Sequence, residues 1–226
     1  PNLAVVFVSG NAVAMPWIDR VPAVLEAWFS GSEAGNALAD VVFGAVNPSG
    51  KLPFTFPVRL EDNGAHALGE YPGSDKVKYN ESIFVGYRWI EKERIEPLFA
   101  FGHGLSYTTF AYSDLEVSPL RQRTQGEYTV KVNVTNTGKR TGDEVVQLYV
   151  RDKVSSVITY DSQLRGFERI SLKPGETRQV TFSLKPEDLQ ILDRNMNWTV
   201  EPGEFEVMIG ASSQDIRLKK TITALP

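Results

Sequence analysis

The chain has 226 residues, 42% of them hydrophobic and 11% aromatic, which is a globular rather than a disordered composition and leaves room for one large domain or two ordinary ones. Its 24 Lys and Arg against 28 Asp and Glu give a net charge of −4 with no basic run, so no nucleic-acid partner is expected. Cys is absent, which excludes a disulfide framework, a thiolate nucleophile and a Cys-based metal site, and no apolar stretch approaches the roughly 20 residues that cross a bilayer.

The first stretch, Leu3-Ala-Val-Val-Phe-Val8, is a near-continuous apolar run closed by Ser9-Gly10-Asn11. It reads as a parallel strand covered on both faces, which needs neighbours on both sides. Pro16, Trp17 and Ile18 open a short helical turn, and Ala23–Phe29 is a second buried run. Ser30-Gly-Ser-Glu33 fits a capping box and predicts a helix in which Ala37, Leu38, Val41 and Val42 share an apolar face. Gly44 stands where a C-terminal glycine belongs. Strand, helix, strand, helix is the grammar of an α/β sheet. Too few parallel strands follow to complete one, which disfavours a free-standing α/β enzyme and predicts that the chain is the tail of a longer protein.

Residues 45–112 are rich in Gly, Pro, Asn and aromatic rings. Asn47-Pro-Ser-Gly50 is a turn by its chemistry, Pro53 and Pro57 bracket an extended segment, and 61–75 reads as a surface loop. Tyr79–Trp89 is aromatic and β-branched, and Phe99, Phe101, Tyr107 and Phe110 surround two glycines. So many rings without periodicity predict a linker wrapped over other surfaces rather than a free tether. From about residue 111 the pattern has period two. Tyr128, Val130, Val132 and Val134 alternate with polar residues, and 144–150, 178–184, 205–209 and 216–222 do the same. About seven short strands separated by Asn136-Thr-Gly138, Lys173-Pro-Gly175 and Glu201-Pro-Gly203 predict an antiparallel sandwich of immunoglobulin or fibronectin III type, with Pro186–Leu192 a short helical crossing. The predicted fold class is thus α/β plus all-β. The divisions are 1–60, the end of an incomplete α/β sandwich domain, 61–110, an aromatic and Gly-rich linker, and 111–226, a fibronectin III-like domain.

Several strings in one order resemble the C-terminal part of family 3 glycoside hydrolases, the β-glucosidase and β-xylosidase group. They are Gly31-Ser-Glu-Ala-Gly35 with Ala39-Asp-Val-Val-Phe-Gly44, Asn47-Pro-Ser-Gly-Lys-Leu-Pro53 with Thr55-Phe-Pro57, and Tyr79-Asn-Glu81 with Val85-Gly-Tyr-Arg88. Phe99-Ala-Phe-Gly-His-Gly-Leu-Ser-Tyr-Thr108, Val134-Thr-Asn-Thr-Gly138, Gly166-Phe-Glu168, Leu172-Lys-Pro-Gly-Glu176 and Ile209-Gly-Ala-Ser-Ser213 complete the set. Within the family, 145–153 and 190–198 look most like the periplasmic β-glucosidase-like branch.

The resemblance implies a (β/α)8-like barrel, an α/β sandwich domain and a fibronectin III-like domain in a full member. It implies a retaining mechanism in which one carboxyl group is the nucleophile and another the general acid/base. In the family the nucleophilic Asp comes from the barrel, and the acid/base Glu from a sandwich segment preceding the strand with which this chain begins. Neither motif is present, so no catalytic residue is assigned and the chain alone is expected to be inactive. The partners implied are the barrel and sandwich polypeptide and an oligosaccharide, with a homodimer of the full enzyme also entertained. A periplasmic or secreted location follows from the resemblance only. No cofactor is implied.

Three residues are carried as substrate-side or loop-support candidates. Glu33 lies at a helix N-terminus after a buried strand, where ligands of α/β sheets bind, although a cap is the plainer reading. Asp152 and Tyr160 belong to the long polar loop 152–161, which could reach a neighbouring active site or a dimer partner. Glu81 and Arg88 are read as a structural ion pair among packing rings. His66 and His103 are read as structural, and two His without HExxH spacing disfavour a metal site. Asn80, Asn133 and Asn197 head glycosylation triplets that arise readily by chance. The competing function is a non-catalytic fibronectin III-like module binding carbohydrate or protein, which predicts glycan binding by residues 111–226 alone. Glucoside and xyloside specificity stay undivided.

Overall fold

A computed structural model describes residues 3–226. It divides into two compact units. The first runs to Pro48 and resumes over Leu52–Phe101, and the second comprises Ser49–Lys51 and Gly102–Pro226.

In the first unit, β1 (Ala4–Phe7) and β2 (Ala23–Glu26) pair in parallel, from Ala4 opposite Ala23 to Phe7 opposite Glu26. The pairing is the one expected, but the described residues do not bury these strands. Leu3 is 47% exposed and Val8 67%. Helix α1 (Ala34–Val42) follows, and Gly44 after it has φ +77 with its amide bonded to the Val41 carbonyl at 3.0 Å, the left-handed close predicted for it. The capping box does not form. A 3-10 turn over Gly31–Glu33 shifts the helix start, so Glu33 occupies the N-cap instead of the third helical position, and the Ser30 hydroxyl donates to the Ala27 carbonyl at 2.5 Å.

Leu52–Phe101, which takes in most of the stretch 61–110 expected to wrap over other surfaces, clusters with the first unit. The reason is its rings. Trp28 meets Phe54 edge-on at 5.3 Å, Phe54 stacks on Phe56 at 5.9 Å, and Phe56 meets Phe99 at 6.3 Å. Phe56 and Phe99 also exchange backbone hydrogen bonds of 2.8 and 3.2 Å. Two short helices, α2 (Gly64–Ala67) and α3 (Tyr87–Lys92), lie in this stretch, and α3 buries Tyr87, Trp89 and Ile90. The Trp89 indole N–H donates to the Asp62 carbonyl at 3.1 Å.

The second unit is the predicted sandwich. Its strands are β3 (Phe110–Ser118), β4 (Arg121–Arg123), β5 (Tyr128–Asn136), β6 (Gly142–Asp152), β7 (Gln163–Leu172) and β8 (Thr177–Leu184). Then come α4 (Pro186–Leu189), the small pair β9 (Ile191–Leu192) and β10 (Trp198–Thr199), and β11 (Gly203–Gly210) and β12 (Ile216–Leu225). One sheet has the order β4-β12-β11-β6-β7, the other β3-β5-β8. Tyr128, Val130, Val132 and Val134 of β5 are sealed against Leu148, Ile209 and Ile222. Burying side chains of this size stabilises by roughly 1.5–3 kcal/mol each before entropy is charged.

Strand β6 is covered on both faces over Val146–Val150, which is why its alternation is weak. Gln147 faces away from the core, and its amide donates to the carbonyls of Gly102 at 3.1 Å and Ala211 at 2.7 Å. Asn136 closes the turn after β5. Its Oδ1 accepts from the Thr108 hydroxyl at 2.7 Å and the Gly138 amide at 3.0 Å, and its Nδ2 donates to the carbonyls of Arg140 and Leu172 at 2.8 and 2.9 Å. It is fully buried, and its bonds to Thr108 and Leu172 are made out of water. Asn136→Ala is expected to strand four partners and cost about 3 kcal/mol by urea unfolding, whereas Thr137→Ala at the exposed neighbour is expected to cost well under about 1 kcal/mol.

Candidate functional site

The sequence candidates fall in different units. Glu33 belongs to the first. Asp152 and Tyr160 bracket one loop of the second. Glu33 is exposed, and its carboxylate accepts from the Asn36 side-chain amide at 2.6 Å. This is a local bond across the first turn of α1, and the charge sits favourably at that helix start.

Asp152 is the last residue of β6, opposite Phe205 of β11. Its Oδ1 accepts from the Val154 amide at 3.2 Å, and its Oδ2 is buried without a hydrogen-bond partner among the described residues. Burial first, and then the charge of Glu201, push this carboxyl above its ordinary value, although the Val154 bond opposes them. Tyr160 is half-buried near the far end of the same loop.

What holds the loop is a pair of residues that sequence reasoning passed over. The carboxylate of Glu201 takes both the amide of Ser156, at 2.9 Å, and its hydroxyl. Arg194 donates to the Ser156 carbonyl at 3.2 Å, and Arg151 pairs with Asp161 at 3.4 Å. Asp193 accepts from the amides of Asn195 and Asn197, and these bonds, Asn197 first, hold its carboxyl below the ordinary value. The only sequence signal for Glu201 was its place before a Pro-Gly turn, and its partner lies 45 residues away. Val154, Ile158, Met196 and Trp198 stand exposed on the stapled segments. Glu201 and Asp193 are spent on holding backbone and Asp161 on Arg151, so the arrangement staples the loop and does not form a nucleophile and acid pair facing one bond.

Glu81 Oε2 is buried without a hydrogen bond among the described residues, and the Arg88 guanidinium lies 5.4 Å from the Tyr87 ring centre. His66 packs against Tyr71 with ring centres 4.5 Å apart and the planes tilted by 33°. His103 titrates below the ordinary imidazole value, through burial first and the Lys51 charge second. Among the described residues no helix is long and apolar enough to cross a membrane, and no cluster of three or more His, Asp or Glu could hold a metal ion.

A unit built on a parallel strand pair is thus joined in sequence to a largely antiparallel two-sheet sandwich. Residues 1–107 match the glycosyl hydrolase family 3 C-terminal domain, and 144–213 match the fibronectin type III-like domain. The chain belongs to the C-terminal region of glycoside hydrolase family 3. It is 49% identical over 220 residues to beta-glucosidase BoGH3A of Bacteroides ovatus, covering 96% of this chain and 30% of that protein. It is also 49% identical over 223 residues to thermostable beta-glucosidase B of Acetivibrio thermocellus, covering 98% of this chain and 29% of that one. Among solved structures, DesR, a beta-glucosidase from Streptomyces venezuelae in complex with D-glucose, superposes with TM-score 0.92 at 39% identity, over 100% of this chain and 29% of that one. The chain thus spans about 30% of the length of the curated relatives it matches.

The Asp152 carboxyl gives a sign-definite expectation. Its folded value is raised, so its contribution to stability is fully present below the unfolded value of 3.8 and is lost as pH rises through the folded value. Asp152→Asn keeps the acceptor for Val154 and cannot ionise. Thermal unfolding should therefore place the variant higher relative to the parent at pH 7 than at pH 3. A difference that is the same at both pH values would contradict the assignment.

Proposed function

We propose that this chain is the C-terminal part of a retaining exo-β-glycosidase that hydrolyses terminal non-reducing β-glucosyl residues of oligosaccharides, with both catalytic carboxylates on polypeptide outside it. The observation that carries this reading is 49% identity, across nearly the whole chain, to proteins named as beta-glucosidases. The candidates within the chain are consistent with it. Glu33 is bonded locally to Asn36, and the carboxylates of the sandwich loop hold backbone. The role of the chain is then structural. The parallel pair β1–β2 joins further strands of the α/β sandwich domain, and the fibronectin III-like unit braces the assembly. The names of the relatives favour glucosides over xylosides, and a periplasmic or secreted location accompanies the reading.

The test is hydrolysis of p-nitrophenyl β-D-glucoside and β-D-xyloside by the purified chain and by the intact parent polypeptide. The chain alone should release no nitrophenol above the buffer rate. The parent should prefer the glucoside and release β-glucose first, as seen by NMR during early turnover. Turnover by the chain alone, or a parent with no glycosidase activity, would overturn the proposal.

A further inference from the structure

The second unit contains three residues from elsewhere in the sequence. Ser49, Gly50 and Lys51 cluster with it, while Pro48 and Leu52 on either side belong to the first unit. The sandwich holds this tripeptide at each residue. Lys51 Nζ sits 3.0 Å from Glu144 Oε1, and the two side chains are only 13% and 8% exposed. The same ammonium donates to the Gly104 carbonyl at 3.1 Å. Ser49 accepts from the Arg169 guanidinium at 3.0 Å, and Arg169 is itself held by Asp143 at 2.5 Å. At Gly50 the contact is backbone against backbone. A Cβ on Gly104 would lie 2.2 Å from the Gly50 carbonyl oxygen, so only glycine at 104 lets the two segments close.

We propose that Ser49-Gly50-Lys51 is a built-in strap, bound by the sandwich much as a peptide ligand is bound, and that the stability of the sandwich depends on this tripeptide from the sequence of the first unit. Glu144 lies on β6 opposite Ile170 of β7, nearly out of water, and besides the strap lysine it accepts the Val145 amide at 2.9 Å. Withdrawing the strap removes the paired ammonium from a buried carboxylate, leaving it only that amide, the Tyr112 hydroxyl and the more distant Arg217 charge, which is the costly half of a broken buried pair. The strap also covers the Gly102–Gly104 turn, whose Gly102 carbonyl is bonded to Gln147. Strap, turn and β6 therefore form one contiguous arrangement. The imidazolium of the neighbouring His103 is disfavoured by burial first and by the Lys51 charge second. This inference does not depend on the proposed activity.

The test uses the full chain with four variants, Lys51→Met, Glu144→Gln, the double variant and Gly104→Ala, read by thermal unfolding and by hydrogen exchange with mass spectrometry. Lys51→Met is expected to lower Tm by roughly 10 °C and to speed exchange in 102–108 and 142–147. Gly104→Ala, which leaves both charges intact and blocks the seat of Gly50, is expected to speed exchange in the same two segments. The double variant should recover part of the loss of Lys51→Met. Additive losses in the double variant, or unchanged exchange in 102–108 with Gly104→Ala, would overturn the strap. If Lys51→Met does not fold, recovery of folded protein in the double variant supports the proposal and failure to recover it contradicts it.

Discussion

The constraint on which the structure turns is that a strand must have its apolar face covered. The sandwich meets it within the chain. Tyr128, Val130, Val132 and Val134 project from β5 into a core closed by β6, β11 and β12, and none of the four is more than 1% exposed. Register follows, because a slip of one residue would turn that whole set out of the core. In the first unit the described residues leave Leu3, Val6 and Val8 exposed around β1 and Phe43 exposed after α1, while the rings around Phe56 make a small core of their own. Parallel strands are ordinarily covered on both faces, and a pair by itself is marginal. The difference between the units is one of coverage, and it supports the structural role proposed for the chain.

Polar residues complete what the apolar face begins. Asn136 ties a turn to two strands, Gln147 ties the outer face of β6 to the backbone of two other segments, and Glu144 takes in a lysine from far away in sequence. Each is buried and each is bonded, as buried polar groups must be if they are not to destabilise. They determine which loops close on the sandwich and which tripeptide it shares with the sequence of the first unit.

Much of this was legible in the sequence, and the misses have physical causes. The period-two strands were visible because one face of each is dry and the other wet. β6 was read short because Gln147 and Tyr149 on its outer face are buried too, which erases the alternation. The capping box failed because Gly31, at φ +73, admits a 3-10 turn that moves the helix start. The rings of 52–101 carry no period, so the sequence says that they pack but not which ring each one meets. The loop holding Asp152 and Tyr160 was found by its length and polarity. Its anchor Glu201 was not, because sequence spacing says nothing about a bond spanning 45 residues.

The most direct test of the account is hydrogen exchange on the isolated chain, comparing β1 and β2 with the core strands of the sandwich. The account predicts that amides of 4–7 and 23–26 exchange many times faster than those of 128–136 and 203–210, and that they become protected in the intact parent enzyme. Protection of β1 and β2 in the isolated chain equal to that of the sandwich would contradict it, because the first unit would then be complete without further polypeptide.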